Sequence, residues 1–157
     1  MTTRLFPELK FGCSGKIVRF TVALMSRSGQ QNPKIQIWRL NDTQLSDTYY
    51  KSGLDIPIVD NSTVCRRHRL SSGIFRCTLN EAYQVPVQPG NILGLELPPK
   101  INDNFDIYFI ETGPLNYVFE GSLTSTANLS EASRVTSHMP QINFTVMLGN
   151  TNIIDSL

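Results

Sequence analysis

Lys16-Ile17-Val18-Arg19-Phe20-Thr21-Val22-Ala23-Leu24 sets Val18, Phe20, Val22 and Leu24 on one face of an extended chain, and Arg19 and Thr21 on the other. Successive side chains of a strand point to opposite faces, so this alternation marks a strand with one buried face. Lys34-Ile35-Gln36-Ile37-Trp38-Arg39 alternates likewise and runs into Asn41-Asp42-Thr43, whose short polar side chains favour a turn. Further strands are expected around Thr48 to Lys51, Leu54 to Val59, Ile74 to Leu79, Tyr83 to Val87, Ile92 to Leu97, Phe105 to Ile110, Asn116 to Phe119 and Gln141 to Leu148. Gln88-Pro89-Gly90-Asn91 is a turn signal between two of them, because Pro fixes one φ and Gly permits a positive one. Strands recur with no amphipathic helix between them, which points to a sandwich or barrel rather than βαβ units. The expected fold is all-β: a two-sheet antiparallel β-sandwich, jelly-roll-like, of about nine short strands.

A chain of 157 residues is of single-domain size, so one domain over 1–157 is expected. Its core would run from about 6 to 148, with 149–157 as a frayed tail or the start of a linker. Hydrophobic residues make up 40% of the chain and charged residues 17%, with a formal net charge of +1. That balance argues against disorder and against bulk nucleic acid or an anionic membrane as the main partner. No apolar run is long enough to span a bilayer. Met1 to Pro7 has no apolar stretch after Arg4, so it does not read as a signal peptide. Residues Gly121 to Met139 hold eight Ser or Thr residues and read as a long surface loop between sheets. Within it, Asn128-Leu129-Ser130-Glu131 resembles a helix cap that would start one or two helical turns.

Catalytic and metal constellations are thin. His68 follows Cys65 at a spacing that suits half of a zinc site, but the other half is missing and Arg66, Arg67 and Arg69 would repel the ion. The same Cys65 and His68 make a poor nucleophile pair without an orienting third group. Asn102-Asp103-Asn104-Phe105-Asp106 places oxygen ligands at close spacing, so calcium at Asp103 and Asp106 is weighed against a plain turn. Glu96 lies alone on the face opposite Leu93, Leu95 and Leu97, and no paired acid for glycoside hydrolysis is recognisable by spacing. No cofactor, no metal and no catalytic residue is expected.

Two features point to recognition. Arg66, Arg67 and Arg69 fall within four residues of a neutral chain, in a segment from Asn61 to Ser72 that reads as a loop. Three guanidiniums there would contact sulfate, phosphate or an acidic partner surface. No aromatic residue is interleaved with them, which disfavours stacking of single-stranded nucleic acid. Asn41, Asn61, Asn128 and Asn143 each open an Asn-x-Ser/Thr acceptor without Pro, in turns or on an outward strand face. The three cysteines, Cys13, Cys65 and Cys77, allow at most one internal disulfide.

The succession Phe11-Gly12-Cys13-Ser14-Gly15-Lys16-Ile17, Pro33 to Arg39, Phe75-Arg76-Cys77-Thr78-Leu79, Val87 to Leu95 and Gly113 to Phe119 resembles a module of large invertebrate, sponge-like cell-surface ectodomains. The resemblance covers about residues 6 to 148 and carries no ligand or catalytic residue with it. It implies an extracellular or cell-surface location, with this chain as a fragment or an isolated domain. It also implies that Cys13 and Cys77 belong to the pattern and Cys65 is additional. On that basis Cys13 pairs with Cys77, a bridge worth about 4 kcal/mol in the chain-entropy model, in competition with a Cys65 to Cys77 staple.

The functional expectation is a non-catalytic adhesion or ligand-recognition module whose ligand is a protein or glycan, contacted through loops that include Arg66, Arg67 and Arg69. The alternatives are a carbohydrate-binding sandwich, or a hydrolase with a site assembled from separate strands.

Overall fold

The computed structural model describes residues 1–24, 32–41, 47–99, 107 and 109–148, together with the backbone of 152–156. Two antiparallel sheets face one another, so the sandwich expected from the alternation is the observed architecture. The first sheet holds β1 (Thr2–Lys10), β3 (Lys34–Leu40), β4 (Thr48–Pro57), β8 (Ile92–Leu97), β9 (Phe109–Glu120), β10 (Thr126–Asn128) and β11 (Ser133–Pro140), in the order β10-β4-β3-β8-β1-β9-β11. The second holds β2 (Gly15–Ala23), β5 (Cys65–Ser71), β6 (Ile74–Leu79), β12 (Ile142–Leu148) and β13 (Asn152–Ser156), in the order β13-β12-β2-β6-β5. A two-residue β7 (Pro86–Val87) pairs with β2 beside them.

The core between the sheets follows from the period of two. Ile35, Ile37, Ile56, Leu93, Leu95 and Leu97 from the first sheet meet Ile17, Phe20, Val22, Cys77, Phe144 and Val146 from the second. A bulge corrects the phase read from the sequence. Thr145 opposes Arg19 whereas Val146 opposes Ile17, so the extra residue Val18 shifts the strand and Ile17, not Val18, enters the core.

A second apolar cluster lies on the other face of the first sheet, where Trp38, Leu5, Ile92, Tyr49 and Phe119 are covered by Ala127 and Leu129. The five steps from Asn128 on β10 to Ser133 on β11 reach at most about 18 Å. Six strand intervals of a flat sheet would separate those edges by about 29 Å. The first sheet is therefore strongly curled, and its concave face closes on Trp38. A ladder of polar contacts supports the indole: Trp38 Nε1 donates to Gln36 Oε1 at 3.1 Å and Gln36 Nε2 to Asp55 Oδ2 at 3.2 Å. Asp55 Oδ1 in turn pairs with Lys51 Nζ at 3.1 Å.

Several expectations are corrected. The Ser/Thr-rich stretch 121–139 is not a surface loop: it forms β10, a single 3-10 turn over Leu129–Glu131, and β11, and it buries Ala127 and Leu129. Asn128 does cap that turn, its side-chain oxygen accepting from the Ser130 backbone N–H at 3.1 Å. The tail is not frayed throughout, since Asn152–Ser156 pairs with Phe144 to Leu148. Residues 61–72 are not a loop either, because Cys65–Ser71 is the edge strand β5. The two short strands expected around residues 48–59 are one strand, β4, bulged where Gly53 takes a φ of 76°. Asn116 to Phe119 likewise belongs to the longer β9. The calcium reading of Asp103 and Asp106 lies outside the described residues.

Candidate functional site

An open cleft of about 560 Å³ lies where the ends of β1, β3 and β4 meet the turn before β8. Gln88-Pro89-Gly90-Asn91 builds one wall. The Asn91 N–H donates to Gln88 O at 3.0 Å and Gly90 has φ 89°, as the Pro-Gly pair anticipates for a type II turn. The turn is pinned to the start of the β1–β2 connection, because Phe11 N–H donates to Asn91 O and Gly90 N–H to Phe11 O. Asn91 also uses its side-chain oxygen to accept from Gln88 N–H at 2.9 Å.

Arg39, Asn41, Tyr49 and Tyr50 form the facing wall, and Lys10 closes the end of β1. The Asn41 N–H donates to Thr48 O at 3.0 Å, which holds β3 and β4 together where the cleft begins. The Asn41 side-chain amide donates to the Tyr50 hydroxyl at 3.0 Å. Tyr49 is buried, and burial raises its phenol above the ordinary value, with Tyr117 and Asp47 pushing the same way. Its hydroxyl stays neutral at physiological pH. Among the described residues the lining thus offers two exposed cations, three side-chain amides and two phenols, and no carboxylate, imidazole or thiol. Such a surface can hold an anionic, hydrogen-bonding ligand.

The three arginines singled out in the sequence do not converge. Strand alternation turns Arg67 toward the core side and Arg66 away from it. Arg67 opposes the buried Cys77 and its guanidinium sits 3.8 Å from the centre of the Phe75 ring. Its stem helps to line a small gap with Phe20, Val22, Ile58 and Phe75, so Arg67 closes the open edge of the core. Arg69 donates from Nε to Ser71 O at 3.4 Å. Arg66 is exposed opposite Thr78.

The cysteine pairing implied by the resemblance is overturned. Cys65 is bonded to Cys77, and Cys13 is the free thiol. The hairpin register explains why: Arg67 opposes Cys77, which puts Cys65 diagonal to it with a Cα separation of 5.5 Å, inside the range a disulfide needs. Cys13 is half-buried in the β1–β2 connection and packs against the edge of the core.

Of the four sequons, Asn61, Asn128 and Asn143 are exposed, whereas Asn41 is half-buried in the cleft wall. Glu96 is not alone: it is buried on β8 and pairs with Lys34 Nζ at 3.4 Å, a structural contact between β8 and β3. Among the described residues no group of three or more His, Cys, Asp or Glu side chains could hold a metal ion. None of the described helices is long and apolar enough to cross a membrane. Comparison of the chain with protein-family models, with curated proteins and with solved structures finds no match.

Proposed function

We propose that this protein is a non-catalytic recognition module of the extracellular space or cell surface, and that it takes an anionic ligand in the cleft between the Gln88–Asn91 turn and the β3–β4 end. The observation that carries this reading is the lining itself: among the described residues Lys10 and Arg39 stand with the amides of Asn41, Gln88 and Asn91 and the Tyr50 hydroxyl, and none of these lining residues is a carboxylate, imidazole or thiol. A guanidinium binds a carboxylate, sulfate or phosphate through two parallel N–H donors, and neighbouring amides fix the rest of a polar ligand. The Cys65–Cys77 bridge supports the compartment, because disulfides persist in oxidising surroundings.

Screening the purified protein against arrays of glycans and protein ectodomains tests the reading. The ligand found should lose roughly tenfold or more in affinity when Lys10→Ala and Arg39→Ala are combined. Unchanged affinity in that folded double variant would place recognition elsewhere. Turnover of the ligand on prolonged incubation would contradict the non-catalytic assignment.

A further inference from the structure

The outer face of the second sheet gathers cations that the sequence scatters. In the register of β5, β6, β2 and β12, Arg66 opposes Thr78, Thr78 opposes Arg19, and Arg19 opposes Thr145. The next row out of the core is His68, Arg76, Thr21 and Asn143, and Lys16 opposes Met147 at the other end of β2. The residues between these rows, Cys77, Phe20 and Phe144, are buried in the core, so both rows face away from it. Arg66 and Lys16 are exposed, while Arg19 and Arg76 are half-buried. Arg19 Nε donates to Thr145 Oγ1 at 3.1 Å, which fixes its guanidinium over the strand. None of these outward side chains is a carboxylate. On the edge strand β13, Asp155 holds the register position opposite Thr145.

We propose that this face docks a sulfated polysaccharide. Four cations, Lys16, Arg19, Arg66 and Arg76, are spread over a sheet rather than focused on a point. Arg66 and Arg19 are two strand intervals apart, about 10 Å. That distribution suits a chain of repeated anions and leaves a single small anion only one or two partners. Guanidiniums form bidentate contacts with sulfate, and the hydroxyls of Thr78 and Thr21 with the Asn143 amide offer hydrogen bonds to sugar hydroxyls between them. Where the rows end, an open depression of about 330 Å³ is lined by Thr21, Ala23, Ile74, Met139 and Asn143, a mixed apolar and polar floor for a sugar ring. No aromatic side chain stands in the rows to stack an unpaired base, and a sheet face presents no helix or ribbon to enter a duplex groove.

The test measures binding of the unglycosylated full chain to heparin and to chemically desulfated heparin at low ionic strength, with DNA of matched length as a competitor. Saturable, salt-sensitive binding to heparin alone is expected. The variant combining Arg19→Gln, Arg66→Gln and Arg76→Gln should lose roughly tenfold or more in affinity. Heparin binding that persists in the Lys10→Ala, Arg39→Ala variant, whatever the cleft itself contributes, and falls when Arg19→Gln, Arg66→Gln and Arg76→Gln are added to it separates this face from the cleft. If the triple variant does not fold, Arg66→Gln alone, on the exposed edge strand, should still lose about threefold. The proposal is overturned by equal binding of desulfated heparin, by DNA competing as well as heparin, by full affinity in the folded triple variant or in Arg66→Gln, or by no heparin binding in the parent.

Discussion

The indole of Trp38 lies against the bare Cα of Gly94 on the neighbouring central strand. A Cβ built at Gly94 would stand 2.6 Å from both Cδ1 and Nε1 of Trp38, and 2.9 Å from Leu5 Cδ2. A glycine in a strand interior weakens it unless something must approach closely, and here the approach is the indole that fills the concave face of the first sheet. Gly94→Ala should therefore destabilise the protein by about 1–3 kcal/mol through overpacking. Gly12→Ala is the control, because a Cβ there meets nothing within 4 Å. Urea unfolding of both variants checks the pair, and equal midpoints would refute the packing argument.

The Cys65–Cys77 bridge closes a short hairpin, with a sequence separation of 12. In the chain-entropy model a loop of that size contributes about 3 kcal/mol. Replacing both cysteines by Ser should lower stability by about that amount, whereas Cys13→Ser, which breaks no bridge, should cost less than about 1 kcal/mol. Peptide mapping without reductant should recover Cys65 and Cys77 in one linked species and Cys13 alkylated. A linked peptide containing Cys13 would contradict the structure.

What the sequence revealed of this fold depended on how each strand is buried. β2 and β6 each bury one face, so their alternation is visible, and β3 and β12 alternate although both their faces are covered, because Gln36 and Thr145 stand between apolar neighbours. β1 is a central strand with Thr3, Arg4, Leu5 and Phe6 all buried, so no polar face betrays it. At the other extreme β5 is an edge strand in which only Cys65 is buried, and its polar run reads as a loop. β11 is the strand at the edge of the first sheet, paired with β9, and its Ser and Thr residues disguise it in the same way. The cleft was legible only in fragments. The Gln88–Asn91 turn was recognisable by its Pro-Gly pair, but Lys10 and Arg39 join it only because β3, β8 and β1 are neighbours, and such non-local pairing leaves no trace in spacing. The cationic face was obscured for the opposite reason, since three arginines close in sequence are divided between two faces.

The sequons differ in what their side chains already do. Asn41 donates its amide to Tyr50 within the cleft wall, and a glycan attached there would break that bond and fill the cleft. Asn61 and Asn128 are exposed, and each uses its side-chain oxygen to accept from the backbone two residues on, leaving the turn open to solvent. Expression through a secretory pathway should give glycopeptides at Asn61 and Asn128 with Asn41 unmodified. Glycan at Asn41, with the cleft still binding its ligand, would show that the cleft wall is misassigned.

Arg66 and Arg67 are adjacent in the chain and should behave in opposite ways. Arg67 lies over Phe75 at 3.8 Å and covers the gap at the open edge of the core, beside Phe20, Val22 and Ile58. A guanidinium over an aromatic face contributes about 0.5–1 kcal/mol at exposed sites and more when it is desolvated. The aliphatic stem adds apolar cover that alanine would remove. Arg67→Ala should therefore cost about 1–2 kcal/mol of stability. Replacement by Lys should recover only part of that loss, because an ammonium cannot lie flat on the ring. Arg66 faces solvent opposite Thr78, so Arg66→Ala should change stability by less than about 0.5 kcal/mol. Its effect should appear instead in heparin affinity and in the salt dependence of that affinity, where Arg67→Ala should be silent. Thermal or urea unfolding and heparin titration of the two variants separate the roles. If Arg66 governs stability and Arg67 governs binding, the register of the β5–β6 hairpin is wrong by one residue.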